Sequence, residues 1–529
     1  MKKWLQKTTK SLKKELRSHK FIYLLLLITF LGGLFVRVYR TGQILGFYYD
    51  QGRDAIRIWE LWHNFDVFLI GPTTGIAGVY RGPFYYYLIA PFYLISGGNP
   101  LLPSYFLALL SMIAVLVLYA LGTKIADRAT GLFVAILASF SFYIMVASRW
   151  LSNPTPMLLL SVLLVWNLFF IHDNNLKKPI STSKKNLVYG WSLLGMIAGL
   201  SLFHFGSSGE FFYFPAIAVF AIWQVARNKK GFKGFREVIS FKSIIFSLGA
   251  LLFTASPLIL FDYLKGHILS QNLHTFLFEQ ESFKSDFKTV FAERMDFYYS
   301  VFTSKIFHWI RRRGEILLIG VGVSFLAFIP KFLRNDYIKI VMLLLFSPIV
   351  GLLFFQGNFG NIYDYYMTGY YLIFILLFGV VLGSLWRYKL GKLFVLYFFF
   401  VFLTWNGMIS RYHIIAGVDG ENTIAFGNQK QAIEWIYEDA EGKPFNVDVY
   451  VPPVIPHAYD YLFTWYGSLD EYYPPSNENL QLLYTLYEVD PPHPERLDLW
   501  LSRQQGIGSV EETVHFGGIT VQRRVRFMQ

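Results

Sequence analysis

The sequence predicts a polytopic α-helical membrane protein with about eleven transmembrane helices. Amphipathic helices lie along the membrane in its first outer loop, and a small extracytoplasmic C-terminal α/β domain follows. Three observations carry this prediction. Of the 529 residues 54% are hydrophobic and 19% aromatic while only 16% are charged, an apolar share above that of ordinary soluble domains. Apolar runs of roughly twenty residues, the length that crosses a bilayer core, recur along the chain. The connectors between them alternate between basic and non-basic, the bias expected of cytoplasmic and outer loops. Cysteine is absent, which excludes a disulfide framework and thiolate metal centres.

Residues 1–20, MKKWLQKTTKSLKKELRSHK, carry eight Lys and Arg ahead of FIYLLLLITFLGGLFV. The N-terminus is therefore expected in the cytoplasm, with the first helix running outward and uncleaved. Further apolar runs begin near residues 101, 129, 156, 188, 211, 243, 316, 338, 368 and 393. When these are threaded alternately, TKIADRATG, DNNLKKPISTSKK, RNKKGFKGFREV, PKFLRND and WRYKLGK fall on the side of the N-terminus. SNPTP, GSSGE and GNFGNIYDYY, which contain no Lys or Arg, fall on the other. The transmembrane domain is placed at 21–412, with outer loops at 39–100 and 262–315. Gly195 and Gly199 in GMIAG are spaced for close helix packing.

Residues 413–529 change character. They hold 7 Lys and Arg against 17 Asp and Glu, which leaves +23 of the net +13 on residues 1–412 and −10 on the tail. The basic residues lie in short connectors and form no continuous face, so nucleic acid is excluded as a partner. GNQKQAIEWIYEDA has helical spacing, whereas NVDVYVPPV and GGITVQRRVRF alternate like strands.

The stretch YYDQGRDAIRIWELWHNF (48–65) concentrates charge directly after the first span. On a helical wheel Ala55, Ile58, Trp59 and Trp62 share one face, and Asp50, Arg53, Asp54, Arg57 and Leu61 lie opposite. This pattern predicts an interfacial helix whose apolar face rests on headgroups or on the bundle, with tryptophan anchors. Asp50 and Asp54 would then look into whatever the outer loops enclose. On spacing alone they are equally a helix cap and a set of Asp–Arg pairs. Beyond Gly71-Pro72 the chain reopens at Arg81-Gly82-Pro83-Phe84-Tyr85-Tyr86, crowded with tyrosines.

Here the sequence resembles the first outer loop of the GT-C membrane glycosyltransferases, particularly the protein O-mannosyltransferases and the bacterial aminoarabinose transferases of lipid A. Those families carry Asp-Glu-x-Arg-x-Ala at the start of a juxtamembrane helix and Lys-Pro-Pro some thirty residues later. The counterparts are Asp50-Gln51-Gly52-Arg53-Asp54-Ala55 and Arg81-Gly82-Pro83, with Gln51 in place of Glu and Arg81 in place of Lys.

The resemblance implies a sugar transferred with inversion from a polyprenyl-phosphate donor to a protein, lipid or glycan acceptor on the outer face. Such a displacement needs a base at the acceptor hydroxyl and positive charge at the departing phosphate. Asp50 is the expected base, its basicity raised by partial desolvation at the membrane boundary, and Asp54 is the second carboxylate. Arg81, Arg53 and Arg149 are the candidates for the donor phosphate, since a guanidinium grips a phosphodiester bidentately. Arg149 reads equally as a headgroup anchor. Tyr85, Tyr363 and Tyr366 are the candidate substrate contacts, with the interfacial tyrosine belt as the alternative for the last two. No cofactor is certain from the sequence; Asp50 with Asp54 could hold a divalent ion, since some GT-C enzymes use one and others do not. His204 and Glu210, six apart around a glycine turn, do not make a metal site. The 262–315 loop, ending in Arg311-Arg312-Arg313, is expected to fold over donor or to touch anionic lipid. The rival class is a transporter or flippase of a lipid-linked sugar; it would place ionisable or Gly/Pro-broken positions at mid-membrane, and here the charge sits in the outer loops.

Overall fold

The computed structural model describes residues 14–176, 181–227, 236–279, 286–308, 312–354, 361–416, 418–452, 455–469 and 473–527. Helix α1 (Lys20–Val38) is the first apolar run. Two short helices follow, α2 (Tyr49–His63) and α3 (Phe84–Ile95), and then α4 (Leu101–Ile125), α5 (Arg128–Phe140) and α6 (Phe142–Arg149).

Helices α5 and α6 form one apolar path bent by 63° at Ser141. Such a break frees backbone groups that lipid cannot satisfy, and the neighbouring helices supply the partners. Asn406 accepts the Phe142 N–H at 2.8 Å. The buried Arg37 guanidinium donates to the carbonyls of Ala138 at 2.8 Å and Ser139 at 2.7 Å.

The bundle continues with α7 (Met157–Leu176), α8 (Ser181–Leu200), α9 (Tyr213–Arg227) and α10 (Phe241–Leu264). Gly195 and Gly199 lie where α8 meets α10, so close that an added Cβ would stand 2.2 Å from the Ser247 carbonyl oxygen and 2.0 Å from Thr254 Oγ1. The 262–315 loop, expected as the second outer loop, carries α11 (Ile268–His274) and α12 (Phe287–Ser304); the helices α13 (Arg312–Phe332), α14 (Asp336–Leu352), α15 (Thr368–Leu385) and α16 (Lys389–Arg411) complete the membrane part. Arg311 lies outside the described residues.

Among the described residues nine helices are long and apolar enough to cross a membrane, or ten if α5 and α6 count as one span. The remaining expected span is α14, which has 17 residues. The segment from Asp364 into α15 is the centre of the bundle, with 89% of its apolar window buried.

Beyond α16 the chain forms α17 (Phe426–Ala440), β1 (Asn446–Tyr450), α18 (His457–Tyr466), β2 (Leu482–Glu488), α19 (Pro494–Gln505), β3 (Gly508–Phe516) and β4 (Ile519–Arg526). The sheet runs β1-β2-β4-β3. Its β1–β2 pair is parallel, as the crossover through α18 requires. The helix expected at GNQKQAIEWIYEDA and the two expected strands are present as α17, β1 and β4. This domain sits on α2. An added Cβ at Gly52 would stand 2.3 Å from the backbone of His457 and Ala458, and the Tyr49 and His457 rings are 4.8 Å apart. Gln429 donates to the Phe47 carbonyl at 2.8 Å, and Trp465 to that of Gly97 at 2.8 Å.

The apolar face of α2, expected on headgroups or on the bundle, packs on protein: Trp59 meets Tyr461 edge-on at 6.2 Å, and Trp62 donates to the Ala90 carbonyl at 3.2 Å. Two residues assigned to the polar face, Asp54 and Leu61, are buried, because α3 covers that side as well.

Candidate active site

The first turn of α2 is pinned from two sides. Gln51 accepts the Tyr48 backbone N–H at 3.1 Å and donates to the Leu151 carbonyl at 3.1 Å. A neutral amide can do both, which an acid at this position could not. The turn therefore holds the 150–156 connector as well as its own cap.

Arg53 bridges the two carboxylates. Its Nη1 lies 2.8 Å from Asp50 Oδ1, while Nε and Nη2 approach Asp54 Oδ1 at 3.0 and 2.7 Å. Tyr86, in the first turn of α3, donates its hydroxyl to the same Asp54 oxygen at 2.8 Å. The desolvation expected at Asp50 falls on Asp54 instead. The Asp50 side chain is 61% exposed and that of Asp54 6%, because the α3 tyrosines cover the second position and leave the first open. Burial lifts the Asp54 carboxyl to about 6, against the pull of Arg53 and Tyr86.

The Asp50–Asp54 pair does not fit a divalent ion in this arrangement, since a guanidinium already stands between the carboxylates. Among the described residues no group of three or more His, Cys, Asp or Glu side chains has metal-binding geometry. Tyr85 is fully buried beside Asp54, so it offers no open face to a substrate.

Arg81 is presented by a tight backbone loop. Its N–H donates to the Pro72 carbonyl at 2.8 Å, its carbonyl accepts the Gly71 N–H at 2.7 Å, and the Gly82 N–H donates to the Phe203 carbonyl at 2.7 Å. His204 locks the next residues. Its ring stacks on Phe84 at 4.1 Å, its Nε2 lies 2.7 Å from the Thr254 carbonyl and its Nδ1 3.4 Å from the Phe84 N–H. An added Cβ at Gly82 would fall 2.1 Å from that ring, so the Arg-Gly-Pro turn needs glycine for lack of room.

The Arg81 side chain lies in the electrostatic field of Glu210, Tyr365 and Tyr366. Glu210 is buried and accepts the backbone N–H of Ser207 at 2.6 Å and of Gly369 at 2.7 Å. It thereby ties the 206–210 turn to the start of α15. Tyr366 is 5% exposed, and Tyr363 and Tyr365 are open, their rings parallel at 5.8 Å.

Arg149 lies two residues before Leu151, the residue that accepts from Gln51, and its Nε and Nη1 are buried without a hydrogen-bond partner among the described residues. It is buried, donates to the Val36 carbonyl at 2.8 Å, and makes no described contact with Asp50, Asp54 or Arg81. The structure thus gathers Asp50, Arg53 and Asp54 beside Tyr86 of α3, while Arg81, three residues before α3, lies in the field of Glu210 and the tyrosine segment. Sequence reading passed over Tyr86, which was quoted without a role. It weighed His204 and Glu210 only as metal ligands, although their flanking of a glycine turn was a usable signal for a backbone clamp.

Residues 80–259 match the family model described as dolichyl-phosphate-mannose-protein mannosyltransferase. No curated protein sequence matches the chain. Among solved structures it is similar to ArnT from Cupriavidus metallidurans. In the apo state the TM-score is 0.58 at 11% identity, over 96% of this chain and 98% of that one. In the state bound to undecaprenyl phosphate it is 0.54 at 10% identity, with the same coverage. The oligosaccharyltransferase of Archaeoglobus fulgidus matches at 12% identity and a TM-score of 0.46, over 92% of this chain and 71% of that one. The near-complete overlap with ArnT takes in the bundle, the short helices α2 and α3 and the terminal domain together, so the chain is a multi-pass membrane protein of the GT-C glycosyltransferase fold.

Proposed function

We propose that the protein transfers a sugar from a polyprenyl-phosphate donor to an acceptor hydroxyl on the outer face of the membrane, with inversion. In this reading the N-terminus is cytoplasmic and the C-terminal domain extracytoplasmic. The acceptor oxygen attacks the anomeric carbon as the bond to the carrier phosphate breaks. Asp50 takes the hydroxyl proton, and Arg81 meets the charge that builds on the departing phosphate. Asp54 cannot reach an acceptor from its buried position and acts as a positioning residue through Arg53. The observation that carries the reading is the Asp50–Arg53–Asp54–Tyr86 chain, whose Tyr86 lies on the segment that Arg81 opens five residues earlier. The family match over residues 80–259 supports the reaction class, and the undecaprenyl phosphate held by the ArnT relative supports the carrier class.

The test is transfer by detergent-purified protein from radiolabelled polyprenyl-phosphate sugars, with Asp50→Asn beside the wild type. Loss of roughly 10²- to 10⁴-fold is expected, the range for removing a positioned general base. Unchanged transfer removes Asp50 from the mechanism. Movement of lipid-linked sugar across vesicles without product selects the flippase instead.

A further inference from the structure

Lys305 is fully buried at the end of α12. Its Nζ lies 3.1 Å from both carboxylate oxygens of Asp364 and 3.0 Å from Ser304 Oγ. The same atom stands 3.4 Å from the centre of the Tyr143 ring and 4.2 Å from that of Tyr371. Tyr371 turns its hydroxyl to Asp364, 2.7 Å from Oδ1. An ammonium held by a carboxylate and two aromatic faces is tightly specified: Lys305 is fully buried while the Asp364 side chain is 35% exposed, so removing the carboxylate strands the ammonium away from water, and removing the ammonium leaves the carboxylate free to turn toward solvent.

The cage joins three elements distant in sequence. Tyr143 belongs to α6 beyond the 63° bend, Lys305 closes the outer-loop helix α12, and Asp364 begins the turn that presents Tyr365 and Tyr366. Those tyrosines share the field of Arg81. An ion pair serving stability alone could sit anywhere in the bundle. This one sits at the base of the tyrosine turn and takes its cation from the second outer loop.

We propose that Lys305 is a positioning residue whose caged ammonium seats the Asp364–Tyr366 turn against Arg81 and couples that turn to the outer helix α12. This rests on the reading of Arg81 as the carrier-phosphate contact. The test uses full-length protein in detergent: wild type, Lys305→Met, Asp364→Asn, the double variant and Lys305→Arg. Undecaprenyl phosphate is the probe, and thermal midpoints report folding.

Each charge-removing single substitution is expected to weaken probe binding about tenfold in protein that still folds, because the partner left alone no longer holds the turn in place. The double variant should be no weaker than the worse single, the mark of a coupled pair. Lys305→Arg, which keeps a cation between the rings, should recover most of the affinity. Unchanged affinity in folded Lys305→Met, or losses that multiply in the double variant, would overturn the proposal.

If wild type itself binds no undecaprenyl phosphate, the functional reading fails on its own, and the coupling is then judged by chymotrypsin cleavage within residues 286–304. Faster cleavage in Lys305→Met supports it. Equal cleavage rejects it.

Discussion

Asp54 and Glu488 are both buried carboxyls, and their positions set opposite kinds of expectation. Asp54 titrates at about 6 because α3 excludes water from it. Above that pH it is ionised and shares Arg53 with Asp50; below, it is neutral and Arg53 is left to Asp50 alone. Transfer measured as kcat/KM should therefore fall as pH drops through about 6, and Asp54→Asn should remove that limb while lowering the rate roughly 10- to 100-fold, the cost of a small misplacement in the site. A limb that persists in the variant would assign it to another group.

Glu488, in β2, accepts the Tyr459 hydroxyl at 2.8 Å, and burial lifts it to about 7 from the 4.5 of an open chain. Its folded pKa is the higher, so between pH 4.5 and 7 the folded state binds more protons than the unfolded one. The stability this group contributes is thus complete in acid and lost as pH rises through about 7. The thermal midpoint of the full chain, followed by tryptophan fluorescence, should decline from pH 5 to 8, and Glu488→Gln should flatten that decline.

At the scale of elements, the contact between α2 and α18 joins the candidate site to the C-terminal domain. It depends on Gly52, which has backbone rather than a flexible side chain against it. Gly52→Ala must push the helices apart, at a cost of about 1–3 kcal/mol. A lowered thermal midpoint together with reduced transfer is the expected result. Full activity in this variant would mean that the domain does not set the position of α2.

The same helix marks how far the sequence could be read. Its existence, its charged start and its tryptophan face were legible from periodicity. The burial of Asp54 was not, because it comes from Tyr86 on another helix, and a wheel drawn from one segment carries no information about what covers it. The seating of Arg149 was not legible for a related reason: it closes an apolar run at the expected level, and the bend at Ser141 turns that end of the span toward α1. Lys305 gave no signal at all, being one lysine in a mixed loop whose partners lie far away in the chain. The membrane spans were legible as a class, and the break at residue 141 and the 17-residue α14 blurred only their count.

At the scale of the molecule, the spans differ in what surrounds them. The central segment Asp364–Leu385 has 89% of its apolar window buried, whereas Phe241–Leu264 and Arg312–Phe332, which flank the second outer loop, have 11% and 17%. A helix jacketed by protein holds its depth whatever the thickness of the surrounding lipid. Helices bare to acyl chains tilt to match it, at fractions of a kcal/mol per Å. Thinner membranes should therefore tug on the second outer loop through its two supports while the tyrosine end of the core stays still, with Lys305 as the strap between them. Reconstitution in phosphatidylcholines of graded tail length should give a transfer rate that tracks tail length in wild type and ceases to track it once that lysine becomes methionine.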